Sequence, residues 1–286
     1  MMRLILCLAT CCCRLSLGIF ASLCIAVSAF SEQITKNDID IKSIDCLRKS
    51  YSEFLLQNSN ESQLESRNGH IFIFDEHLIA PKIMTHDWLL EHADLKAQMS
   101  QPYSTKNLDE APELNVEPGR LRSQSFFDAM YGTSSVEVRK HLRKVWWEPC
   151  QCMMQFSILN GAADALEKVG QEIIKDPNLI NYVNKPLGSF NWRVIAGTKR
   201  RSMHAYGVAI DFSLPHELGQ YWGWQSCKGQ RPCNFPESVL HNKSLHKIVR
   251  IFETKGFIWG GKWYHFDTLH FEYRPELTKL HCQNDY

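Results

Sequence analysis

Two short segments near the end of the chain constrain the fold most, because together they carry the side chains of a metal site. The first segment is SMHAYGVAID at residues 202–211, and the second is DTLHFE at residues 267–272. They supply two imidazoles and a carboxylate from His204, Asp211 and His270. Such a set binds zinc with a fourth position left open for water. The fold must therefore bring two distant segments together.

The pattern around Asp211 predicts a β-strand. From Val208 to Ser213 apolar and polar side chains alternate, which puts Asp211 on the face opposite the core. His204 lies seven residues earlier, so one continuous strand would put it on the wrong face. Gly207 allows a bend or a bulge that brings His204 back to the metal. A second strand presents His270 toward the same cleft.

Asp267, three residues before His270, has two possible roles. As a fourth ligand it would close the site and make the metal purely structural. As a non-ligand it would accept a proton from the attacking water and pass it to a leaving amine. The residues alone leave both roles open.

The two segments resemble a known family in the pattern Ser-x-His-x-x-Gly-x-Ala-x-Asp followed by Asp-x-x-His-Phe-Glu. It is the zinc D-alanyl-D-alanine carboxypeptidase and L-alanyl-D-glutamate endopeptidase family, whose fold is shared by the Hedgehog signalling domain. The resemblance implies one Zn²⁺ per chain, held by His204, Asp211 and His270, with Asp267 as the general base. The implied fold is α+β, a small antiparallel sheet that carries the zinc site and is flanked by helices.

The resemblance also implies an arginine that contacts substrate and stabilises the tetrahedral intermediate. In the family it lies in a Gly-Tyr-Arg-like segment, and Phe-Asn-Trp-Arg at residues 190–193 is the matching segment here. Arg193 therefore takes that role, although the amino-acid sequence of the segment departs from that of the family. Arg200 and Arg201 are nearby alternatives, for which a solvated basic turn is the simpler interpretation.

Three further residues are candidates for contacting substrate or supporting the ligands. Ser202 either hydrogen-bonds substrate or holds the loop of His204. Trp263 either walls the cleft or packs in the core. Glu272 shares a strand face with His270 and can support it.

The implied reaction is hydrolysis of peptide bonds in peptidoglycan stem peptides, of either the carboxypeptidase or the endopeptidase type. The alternative is a non-catalytic, zinc-containing module of the same fold that binds the cell wall or another ligand. An intact Asp267 favours the enzyme, because a binding module does not need a base. The 32 basic and 31 acidic residues nearly balance, which argues against electrostatic capture of nucleic acid. We expect a monomer.

Residues 1–29 predict a signal peptide. Two arginines accompany an apolar run of about 15 residues, and Val-Ser-Ala at residues 27–29 suits a signal peptidase. The run is short for a membrane span, which needs about 20 residues, although a retained anchor is the alternative. No later segment is apolar enough to span a membrane. We expect export to the periplasm or the cell envelope.

Residues 30–68 predict a polar N-terminal extension, with a helix over 38–56 and a linker over 58–68. Residues 69–286 follow as the zinc peptidase domain, with its metal-binding core at about 186–276. Within it, further helices are predicted from Ser135 through Trp147, over 160–175 and over 244–255.

Six of the eleven cysteines follow residue 29, an even number compatible with disulfides in an exported protein. Cys227 and Cys233 enclose a short loop and are the best candidates for a pair. Cys150 and Cys152 are expected to pair elsewhere or to stay reduced.

Overall fold

The computed structural model describes residues 38–58, 60–76, 85–215, 218, 235–278 and 282. The predicted signal peptide and the Cys227–Cys233 pair lie outside the described residues. The chain has two compact units, Met1–Lys42 and Ser43–Tyr286. Of the first unit, residues 38–42 are described and are helical. Among the described residues, no helix is both long and apolar enough to cross a membrane.

The second unit begins with helical residues 43–50 (α1). Its further elements follow in this order: β1 (Gln63–Glu65), β2 (Ile71–Ile73), α2 (His86–His92), α3 (Leu95–Met99), α4 (Gln124–Tyr131), α5 (Ser135–Arg139), β3 (Leu142–Trp147), β4 (Cys152–Ser157), α6 (Ala162–Ile173), α7 (Pro177–Val183), β5 (Pro186–Gly188), β6 (Ala209–Phe212), α8 (Glu237–Leu240), α9 (Lys243–Glu253), β7 (Phe257–Trp259) and β8 (His270–Tyr273). Short 3-10 turns occur at Met203–Tyr206 and Gly260–Lys262.

The strands form three small antiparallel sheets. Two are two-stranded, β1–β2 and β3–β4, and the third has the order β5–β6–β8–β7. Helices flank these sheets, so the predicted α+β class is confirmed. The four-stranded sheet carries the predicted strand of Asp211 as β6 and the strand of His270 as β8.

One face of the four-stranded sheet packs against α9. Phe271 stacks on Phe252 of this helix with ring centroids 4.1 Å apart, and Phe212 contacts the same ring edge-on at 5.9 Å. Burying an apolar side chain of this size contributes about 1.5–3 kcal/mol. Since neighbours along a strand point to opposite faces, the face opposite α9 is left for Asp211 and His270.

The helices predicted over 160–175 and 244–255 are confirmed as α6 and α9. Asn242 caps α9 by accepting a hydrogen bond from the backbone N–H of Leu245 at 2.8 Å. The apolar residues at helical spacing in α9 are buried. The periodicity of its apolar residues was therefore enough to predict this helix.

The helix predicted from Ser135 through Trp147 is wrong. Ser134 caps a short helix that ends at Arg139, and the chain then enters strand β3. In β3 the buried Val145 and Trp147 alternate with exposed neighbours. That two-residue period fits a strand, and pairing with β4 along its whole length favours the hairpin over a longer helix.

The linker predicted over residues 58–68 is also wrong. This stretch contains β1, which pairs with β2, and its Leu64 is fully buried. Leu64 shares one hydrophobic core with Leu47 of α1 and with Phe212 of the four-stranded sheet. A short strand with one buried leucine is enough to attach this polar stretch to the core.

Two disulfides lie among the described residues. Cys150 pairs with Cys152 across Cα atoms 5.3 Å apart, contrary to the expectation that these cysteines pair elsewhere or stay reduced. Gln151 between them has a φ of 52°, and the resulting turn brings the two sulfurs together. Cys46 pairs with Cys282, 236 residues away in sequence.

Candidate metal centre

His204 lies on the 3-10 turn between Ser202 and Gly207, just before β6. The Oγ of Ser202 accepts a hydrogen bond from the backbone N–H of His204 at 3.4 Å. Gly207 ends the turn with a φ of 67°, and a Cβ there would lie 2.4 Å from the Cδ2 of Leu142. The bend predicted at Gly207 is therefore confirmed. Because of this bend, the side-chain direction of His204 does not follow the alternation of side chains along the strand.

Three side chains converge beside the sheet. Asp211 and His270 are direct partners in the β6–β8 ladder, with His270 Nδ1 2.9 Å from Asp211 Oδ1. His204 approaches from the preceding turn, with its Nε2 3.1 Å from Asp211 Oδ2. The ligand atoms of the three residues lie within 4.8 Å of one another. The structure therefore brings all three predicted ligands together.

The ring of His204 provides a test of whether this cluster fits a metal. Its Nδ1 lies 2.9 Å from the carbonyl oxygen of Ser189 and can donate to it, which leaves Nε2 with a lone pair. Nε2 is buried and has no hydrogen-bond partner among the described residues, because its approach to Asp211 lacks hydrogen-bond geometry. An unpaired buried nitrogen is costly. A metal ion would use this lone pair, so the cluster fits one.

Two carboxylates, those of Asp211 and Glu272, flank the ring of His270 and determine its pKa. Burial alone would lower its pKa, but hydrogen bonds with Asp211 and Glu272 outweigh burial and raise the pKa to about 10. Burial likewise opposes the ionisation of Asp211, yet the adjacent imidazole rings of His204 and His270 hold its pKa well below the usual value. A metal ion at this cluster therefore competes with a proton for His270.

Glu272 supports His270 from within the sheet. Its Oε2 lies 3.0 Å from His270 Nε2, and its side chain is fully buried. Arg122 Nη1 lies 3.2 Å from Oε2, and Arg274 Nη1 lies 3.0 Å from Oε1. Burial raises the pKa of Glu272, but these charges and the His270 hydrogen bond bring it down to about 2. The carboxylate therefore stays ionised and holds the ring.

Asp267 lines the same cleft but is not part of the three-residue ligand cluster. Its backbone N–H donates to the carbonyl of Gly260 at 2.9 Å, and its carbonyl accepts from the backbone N–H of His270 at 3.2 Å. Burial, together with the negative charge of Asp211, raises the pKa of Asp267 against the opposing charge of His270. A carboxylate with a raised pKa is a better base near neutral pH.

The sequence model of the D-alanyl-D-alanine carboxypeptidase family matches residues 196–273. Over these residues the chain is similar to that family. The matched segment is about a quarter of the chain and contains His204, Asp211, His270 and Asp267. No curated protein and no solved structure matches the chain. The family supports a peptidoglycan-related metallopeptidase in general.

Arg193 lines the cleft beside this carboxypeptidase-family segment. Its carbonyl accepts a hydrogen bond from the backbone N–H of Ser202 at 3.1 Å, which fixes its backbone next to the His204 turn. The side chain is exposed, and within the described residues it makes no hydrogen bond or ion pair. The guanidinium is thus available to a substrate.

The other two arginines of the cleft already have partners. Arg122 is buried against Glu272, and Arg120 lies over the ring of Trp263 at 5.3 Å and donates to the carbonyl of His265 at 3.2 Å. Arg120 and Arg122 were not predicted as site residues from the sequence. No motif in their own segment marks them as site residues. They reach the cleft only because they pack against residues 196–273, the segment that matches the carboxypeptidase family.

Arg200 and Arg201 do not line the cleft, and the solvated turn expected for them is wrong. Arg200 is buried, with Nε 3.1 Å from Glu91 Oε1. Arg201 pairs with Asp128 at 3.0 Å and lies over the ring of Trp192 at 4.1 Å. Both arginines hold neighbouring segments together.

Trp263 is buried, and it also lines the cleft. Its Nε1 donates to the carbonyl of Pro118 at 2.8 Å, and its ring centroid lies 5.5 Å from that of His270. It therefore combines the two roles that the sequence left open, packing and forming the wall beside a candidate ligand.

Proposed function

We propose that the chain is a zinc-dependent peptidase that hydrolyses peptide bonds in peptidoglycan stem peptides. The observation that carries this proposal is one cleft that holds the cluster of His204, Asp211 and His270 together with Asp267 outside the ligand set. A structural zinc site has no need of a neighbouring carboxylate with a raised pKa. The D-alanyl-D-alanine carboxypeptidase family match supports the substrate class.

His204, Asp211 and His270 would hold the ion. Zinc bound there supplies Lewis acidity that polarises the scissile carbonyl and the attacking water. Asp267 accepts the proton of that water and donates it to the leaving amine. Because the guanidinium of Arg193 has no partner among the described residues, it can donate to the oxygen on which negative charge develops.

The cleft also favours an anionic peptide. It encloses about 370 Å³ and is lined by three arginines, of which Arg193 is exposed. A stem peptide carries free carboxylates, which arginine binds through two parallel hydrogen bonds. Both a carboxypeptidase and an endopeptidase reaction are compatible with this lining. The proposed site of action is the periplasm or the cell envelope, in keeping with the signal peptide predicted over residues 1–29.

The decisive experiment is digestion of purified peptidoglycan and of a synthetic stem pentapeptide by the zinc-loaded protein, followed by mass spectrometry. Release of D-alanine identifies a carboxypeptidase, and new amino termini within the stem identify an endopeptidase. Binding without any product would overturn the proposal in favour of the non-catalytic module. A variant with Asp267→Asn controls for contaminating hydrolases.

A further inference from the structure

A second cluster of two histidines and one carboxylate lies away from the proposed zinc ligands. Its members are His86 at the start of α2, Glu117, and His265 on the loop that leads to Asp267. Glu117 Oε2 lies 2.6 Å from His86 Nε2, and Glu117 Oε1 lies 2.5 Å from His265 Nδ1. The ligand atoms of all three lie within 4.8 Å of one another.

The cluster is enclosed and contains an anion. The side chain of Glu117 is fully buried, and those of His86 and His265 are 12% and 24% exposed. Burial alone would raise the pKa of Glu117, but hydrogen bonds from His265 and His86 and the charge of Arg120 hold it far below the usual value. Arg120 Nε lies 3.7 Å from Glu117 Oε1 and makes no hydrogen bond with any described residue.

The backbone around the cluster is anchored as metal-ligand supports commonly are. Glu117 Oε1 also accepts the backbone N–H of His265 at 3.0 Å, and the backbone N–H of Glu117 donates to Gln101 Oε1 at 2.5 Å. Such contacts orient a ligating carboxylate. The other carboxylate oxygen, Oε2, faces His86 Nε2 at 2.6 Å.

The chemistry of the donors selects the class of ion. Two imidazoles and one carboxylate suit zinc and the neighbouring divalent transition metals. Calcium and magnesium prefer all-oxygen sites, so they fit poorly. The donor set is the same as that of His204, Asp211 and His270, with comparable separations between the donor atoms.

We propose that His86, Glu117 and His265 form a second metal site that takes a divalent transition-metal ion. The ion links three segments that are distant in sequence, namely α2, the segment of Glu117 and the loop over residues 260–267. That loop carries Asp267, and Arg120 donates to the carbonyl of His265 from the wall of the cleft. The second ion thus holds the cleft wall and does not act on substrate.

The test is the zinc content of the full-length protein, measured by elemental analysis after zinc loading and dialysis against metal-free buffer. We expect two zinc ions per chain for the unmodified protein and one for His86→Ala. Glu117→Gln keeps the size of the side chain but loses its charge, and it should also hold one. The matched control is His92→Ala on the same helix, whose ring stacks on Trp88, and it should keep two.

A single zinc per chain in the unmodified protein overturns the proposal and leaves a hydrogen-bonded triad without an ion. So does a Glu117→Gln variant that folds and still holds two ions. Circular dichroism of each variant separates loss of metal from loss of fold. The measurement counts ions and does not depend on turnover, so the peptidase proposal can fail while this one stands, and the reverse.

Discussion

His270 lies directly opposite Asp211 in the β6–β8 ladder, with His270 Nδ1 2.9 Å from Asp211 Oδ1. Opposite residues in an antiparallel ladder lie on the same face with their side chains adjacent. Strand register therefore sets the spacing of these two candidate ligands. A slip by one residue would move one of them to the face that packs against α9.

Asp267→Asn should abolish hydrolysis while leaving zinc bound, because Asp267 lies outside the ligand cluster. Loss of a general base lowers rates by about 10²–10⁴-fold. Turnover of a stem peptide and zinc content by elemental analysis, measured on one preparation, check both parts. Asp164→Asn, at a side chain that is 69% exposed, is the control and should behave as the unmodified protein. Hydrolysis at the unmodified rate by Asp267→Asn would exclude Asp267 as the base.

His204→Ala should remove one zinc ion per chain and all hydrolysis, since the ring supplies a buried lone pair that no other group in the described residues uses. Chelation of the unmodified protein should abolish hydrolysis in the same way, and added zinc should restore it. His92→Ala is the histidine control. Unchanged zinc content in His204→Ala would remove this residue from the ligand set.

Arg193→Ala should lower kcat/KM about 10²–10³-fold, the range found when one donor to a developing oxyanion is lost. Its melting temperature should not change, because the guanidinium has no partner among the described residues. Arg201→Ala should instead lower the melting temperature and leave kcat/KM nearly unchanged. It loses its contacts with Asp128 and Trp192, costing about 1 kcal/mol of stability, and largely keeps its activity. Equal kinetic effects in the two variants would argue against substrate binding by Arg193.

Glu272→Ala should destabilise the fold by about 3–5 kcal/mol, because it leaves Arg122 and Arg274 buried without their shared carboxylate. Urea unfolding monitored by fluorescence measures the loss. Glu172→Ala removes an exposed carboxylate paired with Lys175 and should leave the transition unchanged. A Glu272→Ala midpoint equal to that of the unmodified protein would contradict the buried pairing.

Gly207→Ala should both destabilise the protein and weaken zinc binding. Its φ of 67° already costs an alanine about 1–2 kcal/mol, and the new Cβ would press on Leu142. Gly197→Ala is a matched control, since Gly197 has a similar φ of 77° with open space around it. Thermal melts and zinc titrations should show a larger effect for Gly207→Ala. Equal effects would mean that the contact with Leu142 does not position His204.

Local patterns predicted the elements that carry the candidate site. The alternation around Asp211 predicted β6, and the periodic apolar stripe predicted α9. Gly207 predicted the bend that allows His204 to join Asp211. Each of these signals lies within one short window of the chain, where backbone dihedrals and side-chain direction follow from neighbouring residues.

The same reasoning failed where packing decided between two local possibilities. Residues 135–147 have apolar residues at both helical and strand spacing, and pairing with β4 favoured the strand. Residues 58–68 are polar overall, yet Leu64 anchors β1 in the core.

By itself the sequence determined the candidate ligand types, the strand phase of Asp211 and His270, and the resemblance that points to Asp267 and Arg193. Only the tertiary structure decided that Arg193 has no partner within the described part of the chain, while the arginines near it are paired. It alone also brought His86, Glu117 and His265 together. The physical reason is that pairing and burial of charges depend on contacts between segments far apart in the chain, which no short window of sequence encodes.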